Sequence, residues 1–328
     1  MTMPARRIDV CNGDADGLCA VVQWRQAEPA PALLVTGLKR DIELLRRVQA
    51  RPGDRILVCD LSMQRNLAEL LRLLREGAIV RYFDHHAVDA VPRHPRLRAH
   101  LDFSPSMCSS LLVDRFLRGR RRLWALVGAY GDNLAGVADA LALREGLDAQ
   151  RCAALRRLGE VVNYNAYGDD ERDVLMAPAE LYERLVRYQD PFQLLGHEPI
   201  IGRIDELRQA DLEQALRLGP WREHPGARIW RLPDSAWSRR VGGSLANLLA
   251  GQRPALAHAV LRDTAAGTLA ASVRAPLRAP HGAHELCRRF GGAGRAGAGG
   301  IDVLPPGELE AFVQAFESGD WMPGPSRS

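Results

Sequence analysis

Ile8-Asp9-Val10-Cys11-Asn12-Gly13-Asp14-Ala15-Asp16-Gly17 is the stretch that decides the fold. The apolar run Ile8–Cys11 breaks into a turn carrying Asp14 and Asp16 between glycines. A helical stretch from Leu18 to about Arg25 follows, so the segment reads as strand, turn, helix. The same alternation continues outward. Ala32–Thr36, Arg55–Asp60 and Ile79–Asp84 are further strands, separated by helical periodicity in Leu44, Leu45 and Val48 and in Leu67, Leu70, Leu71 and Leu74. This alternation predicts an α/β fold: a doubly wound, mostly parallel sheet with helices on both faces.

At 328 residues the chain is long enough for two domains, and 46% hydrophobic residues supply material for two cores. From Cys108 to Arg187 the pattern is predominantly helical. Residues 1–188 are therefore read as one domain. A weakly periodic connection at 189–226 follows, punctuated by Gly196, Pro199, Gly202, Gly219, Pro220 and Pro225, with a helix around 205–218. A smaller α/β domain spans 227–320. Its strands are Arg228–Leu232, Ala257–Leu261 and Leu269–Arg274, followed by a glycine-rich loop at Gly291–Gly300 and a closing helix near Glu308–Phe316. A tail is expected at 321–328.

The net charge of +4 permits an anionic substrate without demanding one, and Lys39 is the only lysine among many arginines. The cysteines (Cys11, Cys19, Cys59, Cys108, Cys152, Cys287) show no CxxC pair and no zinc-like spacing, which points to a reducing compartment. No apolar signal core and no membrane-length segment is present, so a cytoplasmic protein with no membrane association is expected.

The informative feature is where the acids fall. Asp14 and Asp16 follow the first strand, Asp60 ends the third, and Asp84, His85 and His86 end the fourth. Asp132 follows an apolar helical segment. In an open parallel sheet, sites form beyond the carboxyl ends of the strands, so these residues should converge. Converging carboxylates repel and need a cation, and carboxylate with imidazole suits manganese or magnesium better than zinc. Four aspartates and a histidine suffice for two ions about 3.5–4 Å apart, an arrangement suited to phosphoryl chemistry. Asp54, Asp102 and Asp114 are read as ordinary turn or capping residues.

Asn12–Gly17 resembles the first motif (DxDG) of the DHH family. Val58-Cys59-Asp60 resembles the second, Asp84-His85-His86 the motif that names the family, and Gly131-Asp132-Asn133 the fourth. The C-terminal part resembles the DHHA1 domain found in RecJ-type exonucleases, nanoRNases and related phosphatases. The resemblance implies a DHH domain plus a DHHA1-like domain with the active site in the cleft between them, and two divalent ions, manganese first with magnesium as the alternative. Asp14 and Asp16 would each hold one ion, Asp60 would bridge both, and His85 and Asp132 would complete the ligand set of the second ion. His86 would face the scissile phosphate and Asp84 would orient the histidines. Met107-Cys108-Ser109-Ser110 resembles the family's small-residue helix start, with Ser109 as an anion contact. Asn163–Gly168 is motif-like without an assigned role.

Two positions depart from the family pattern. Val10 stands where many members carry a histidine. Gly294 stands where the family's GGGH signature has its histidine, within the run Gly291-Gly292-Ala293-Gly294-Arg295. Main-chain amides of such a loop can cradle phosphate, with Arg295, Ser272 and Arg274 as donors. The absence of a polybasic stripe with interleaved aromatics favours a short substrate. The expectation is a phosphodiesterase acting on short RNA or a linear dinucleotide such as pGpG. A nucleotide phosphomonoesterase of the pAp type and a catalytically weakened nucleotide-binding protein are the alternatives. A homodimer is left open.

Overall fold

The structure, a computed structural model, describes residues 4–319 and 321. Two compact units divide it, residues 1–205 and 206–328. The first opens with β1 (Arg7–Cys11), α1 (Ala15–Ala27), β2 (Leu33–Val35), β3 (Arg55–Cys59), α2 (Leu67–Arg75), β4 (Ile79–Asp84) and β5 (Leu97–Leu101). The strands form a sheet in the order β2-β1-β3-β4-β5, parallel throughout. Strands covered on both faces need continuous apolar runs, and Val10, Val58, Tyr82 and Phe83 are all fully buried. The register sets Cys11 beside Cys59 and Cys59 beside Phe83. The ends of β1, β3 and β4 are therefore level, and the acidic residues that follow them leave the sheet along one edge.

Helices α3 (Ser109–Phe116), α4 (Arg122–Gly131), α5 (Ala135–Arg144), α6 (Ala149–Tyr164), α7 (Pro178–Leu185) and α8 (Pro191–His197) complete the first unit, and the division falls inside α9 (Pro199–Leu218). The weakly structured connection expected at 189–226 is thus largely helical. Of the prolines that suggested breaks, Pro199 stands at the first position of α9, where a missing N–H costs nothing, and Pro220 and Pro225 fall beyond the end of that helix. Conversely, Leu44–Arg47 forms only a 3-10 turn. There the Asn66 side chain accepts from Leu45 N–H (3.2 Å) and donates to the Ile42 carbonyl (2.7 Å), taking the place of helical hydrogen bonds. β5 escaped the sequence reading because this edge strand, Leu97-Arg98-Ala99-His100-Leu101, is half-exposed and carries basic residues.

The second unit contains β6 (Arg222–His224), β7 (Ala227–Leu232), α10 (Ala236–Gln252), β8 (Ala257–Asp263), β9 (Leu269–Arg274), α11 (Ala283–Arg289), β10 (Ala293–Arg295), β11 (Ala298–Leu304) and α12 (Leu309–Glu317). Its sheet runs β10-β11-β9-β8-β7-β6, and only the β7–β8 pair is parallel. Phe312, Phe316 and Trp321 pack beneath it with Val273, Ile301 and Leu304. Trp321 is 7% exposed and its indole donates to the Phe316 carbonyl, so the expected tail is docked at its first residue. Residues 322–328 lie outside the described residues. All six cysteines are free thiols. No helix among the described residues is long and apolar enough to cross a membrane.

Candidate metal centre

Asp14 is the N-cap of α1, its carboxylate accepting the Gly17 N–H at 3.1 Å. Gly17 is required here, because a Cβ would lie 2.2 Å from the Asn12 carbonyl oxygen. Asp16 sits in the first turn of α1 and is 1% exposed. Its two oxygens accept the Ser109 and Ser110 N–H groups at the start of α3, both at 2.7 Å, and Ser110 Oγ donates to the Asp16 carbonyl. An anion does occupy the N-terminus of α3. It is the protein's own Asp16 carboxylate. Ser109, expected to contact substrate, is fully buried and donates from Oγ to Asp60 at 3.2 Å. Its role is corrected from substrate contact to support of Asp16 and Asp60.

Asp60 follows β3 in the left-handed region (φ 57°), a conformation costly for a non-glycine residue and concentrated at functional sites. Asn133, beside Asp132, shares it with φ 62°. Asp132 caps the end of α4, its N–H donating to the Gly128 carbonyl. His85 follows β4. Its Nδ1 lies 3.0 Å from the Met107 carbonyl, which can only accept, so the proton belongs on Nδ1. Nε2 therefore faces the carboxylates, 3.1 Å from Asp60 and 3.9 Å from Asp16.

Two groups of side chains have ligand atoms close enough together to share an ion: Asp16, His85 and Asp132; and Asp60, Asp84, His85 and His86. They meet at His85. Burial lifts the carboxyl groups of Asp60 and Asp16 above their ordinary range, and the neighbouring charge, Asp14 for Asp60 and Asp60 for Asp16, adds to it. Burial alone would depress the His85 imidazole, but Asp60, Asp132 and Asp16 outweigh it and push it up to about 10. Without a metal, the cluster holds a proton on His85 as its internal cation. A divalent ion supplies that charge better, and the donors fit it: carboxylates and one imidazole whose other nitrogen is anchored on a carbonyl.

His86 completes the edge. Its Nδ1 donates to Asp84 at 2.7 Å, and its side chain is 45% exposed while Asp84 is fully buried. Asp84 also accepts from Met63 N–H at 3.3 Å. Burial opposes the charge on His86, but the Asp84 hydrogen bond prevails and raises its pKa. Burial pushes the thiols of Cys11, Cys19, Cys59 and Cys108 well up, and neither group of converging ligand atoms includes a cysteine.

Asp14, expected as a metal ligand, belongs to neither group. Its second oxygen is paired with the Lys39 ammonium. Lys39 was absent from the sequence expectations, and its being the only lysine was the available signal. The Asn163–Gly168 motif finds a role here: the Ala166 carbonyl accepts the Lys39 N–H at 2.9 Å, and the Tyr167 ring centroid lies 5.5 Å from its ammonium. Asp54, Asp102 and Asp114 pair with Arg6, Arg115 and Arg122 and serve the fold.

In the second unit, the expected glycine-rich loop is the hairpin β10–β11, and β10 is the edge strand. Gly294 allows this pairing, since a Cβ there would lie 2.3 Å from the Ala298 carbonyl oxygen. Part of the main chain expected to cradle phosphate is thus committed to a ladder. Gly292 N–H likewise donates to the Cys287 carbonyl, and Gly291 turns the chain with φ 75°. The register pairs Arg295 with Ala298 and Ala298 with Arg274, so both arginines share one face. Ser272 lies on that face, two residues before Arg274, whose Nε donates to Asn247 at 2.7 Å.

No protein-family model matches the sequence, and no curated protein matches it. Solved structures do. A DHH domain from a member of the s1p family of ribosomal proteins gives a TM-score of 0.64 at 14% identity, covering 95% of this chain and 85% of that one. Exonuclease RecJ bound to manganese gives 0.60 at 19% identity, covering 96% and 90%. The pGpG-specific phosphodiesterase PggH from Vibrio cholerae gives 0.54 at 13% identity, covering 95% and 98%. At these identities the likeness is one of fold. The chain has the two-domain DHH fold that its motifs imply.

Proposed function

We propose that this chain is a divalent-metal-dependent phosphodiesterase that hydrolyses short oligoribonucleotides or linear dinucleotides to mononucleotides in the cytoplasm, with manganese as its ion. The observation that carries the reading is the convergence of Asp16, Asp60, His85 and Asp132 on one edge of the sheet, with the Asp84–His86 pair beside them. The activity named for PggH, a pGpG-specific phosphodiesterase, supports a substrate of dinucleotide size.

A divalent ion bound to this cluster would neutralise phosphoryl oxygens and acidify an attacking water. The protein does the rest. Ser109, Ser110 and Met107 hold Asp16, Asp60 and His85 in place, so their geometry need not reorganise during reaction. His86, half-exposed and with its pKa raised by Asp84, can when protonated donate from Nε2 to a phosphate oxygen or to the leaving oxygen as the phosphorus–oxygen bond breaks. Arg274, Arg295 and Ser272 offer a terminal phosphate cationic and hydroxyl donors on one face of the second unit.

The test is turnover of end-labelled RNA from two to about twenty-four nucleotides beside pAp, with Mn2+ and with EDTA. Metal-dependent loss confined to the shortest oligomers supports the reading. Preferential release of phosphate from pAp would replace it with a monoesterase. Absence of turnover in folded, Mn2+-bound protein would reject both.

A further inference from the structure

We propose that the Lys39 ammonium is a resident cation of the centre, standing at Asp14 in place of a second divalent ion, so that each chain binds one ion. The inference rests on the metal-dependent reading of Asp16, Asp60, His85 and Asp132. It replaces the pair of ions expected from the motifs.

Asp14 is 3% exposed and both of its oxygens are engaged, one by the Gly17 N–H and the other by the ammonium. Lys39 is held for this task from several sides. Its N–H donates to the Ala166 carbonyl, its own carbonyl accepts from Asn12 Nδ2 at 3.0 Å, and its ammonium lies 5.5 Å from the Tyr167 ring centroid. The same Asn12 side chain accepts the Asp14 N–H at 3.1 Å, which ties the two partners together. Withdrawing the ammonium would leave a buried carboxylate unpaired, which is strongly destabilising.

The position that could add an imidazole donor beside Asp14 adds none. Val10, where a histidine would add a donor, is 0% exposed and packs in the apolar core with Ile8, Val58 and Tyr82. Asp14 also belongs to neither group of ligand atoms close enough together to share an ion. The residue type fits the role as well. An ammonium is a compact point charge, whereas a guanidinium is a broad plane. In a chain that otherwise uses arginine throughout, the one lysine stands at this carboxylate.

The experiment measures Mn2+ stoichiometry on the full chain by equilibrium dialysis with metal analysis, and the Mn2+ electron paramagnetic resonance spectrum at saturation. The wild type is expected to bind one Mn2+ per chain with the spectrum of an isolated ion. The double variant Val10→His with Lys39→Ala, once its circular dichroism and melting show it folded, is expected to bind two with a spin-coupled spectrum. Two coupled ions in the wild type would overturn the proposal and leave the hydrolase reading intact. A folded double variant that saturates at one ion would also overturn it. One isolated ion in a wild type that cleaves no phosphodiester would uphold the ion count and remove the hydrolase reading.

Discussion

Asp16 and Asp14 stand two residues apart in the first unit, and both are buried carboxylates. Arg274 and Arg295 share a face of the second unit, and both are half-buried cations. The acidic edge is built from groups that repel one another, yet each is fixed by a donor: α3 amides on Asp16, Ser109 and His85 on Asp60, Lys39 on Asp14. The arginine face is built the other way. Arg274 is steered by Asn247, which accepts from its Nε, and by the Val273 carbonyl, which accepts from Nη1. The difference teaches where function should be sensitive. A preorganised ion centre fails when one ligand is lost, whereas a face that only grips its ligand weakens by degrees.

The largest effect expected from this contrast is at Asp60. Asp60→Asn removes the carboxylate that lies between His85 and Ser109. Turnover with saturating Mn2+ should fall by about 10³-fold while circular dichroism is unchanged. Retained turnover would detach the acidic edge from the chemistry.

A pH effect should come next. The folded protein holds His85 protonated up to about 10, against an ordinary value of 6.5. Its stabilisation of the metal-free protein is therefore present below about pH 6.5 and lost as pH rises toward 10. Asp16 and Asp60, raised by burial, act in the same direction at lower pH. The melting temperature in EDTA should fall between pH 6 and pH 9. Over the same range Mn2+ affinity should rise by about tenfold per pH unit, since the ion displaces a proton from Nε2. A flat Mn2+ affinity would place the ion away from His85.

A smaller loss is expected from Asp84→Asn. It keeps the shape around His86 and removes the charge that orients it, so kcat should drop by roughly 10–100-fold, with the alkaline limb of the pH profile shifted to lower pH. An unchanged pH profile would assign His86 no proton. The smallest effect belongs to the other region. Arg295→Ala should raise KM about tenfold, which is ~1.4 kcal/mol, and leave kcat nearly unchanged. A fall in kcat instead would move Arg295 from gripping substrate to the reaction itself.

The acidic edge was legible in the sequence because its parts obey rules that need no tertiary knowledge. Apolar runs announce parallel strands, and carboxylates after them mark the strand ends where sites form. What stayed hidden depends on which of two partners wins. The Cys108–Ser110 turn could have offered its amides to a substrate anion. Only the packing of α3 against α1 shows that Asp16 already holds them. Lys39 lies in a segment without periodicity, so its approach to Asp14 across a sequence gap of 25 could not be read locally. The glycine run permitted either a loop or a hairpin. The close approach of Gly294 to Ala298 decides for the hairpin.

The most direct test of the centre is Mn2+ binding to the EDTA-treated protein at pH 8, followed by paramagnetic resonance, in the wild type and in His85→Ala. The wild type is expected to take up Mn2+ tightly and in a saturable manner, and the folded variant is expected to lose that binding. Equal Mn2+ affinity in the two proteins would contradict the assignment of the ion to the Asp16, Asp60, His85 and Asp132 cluster.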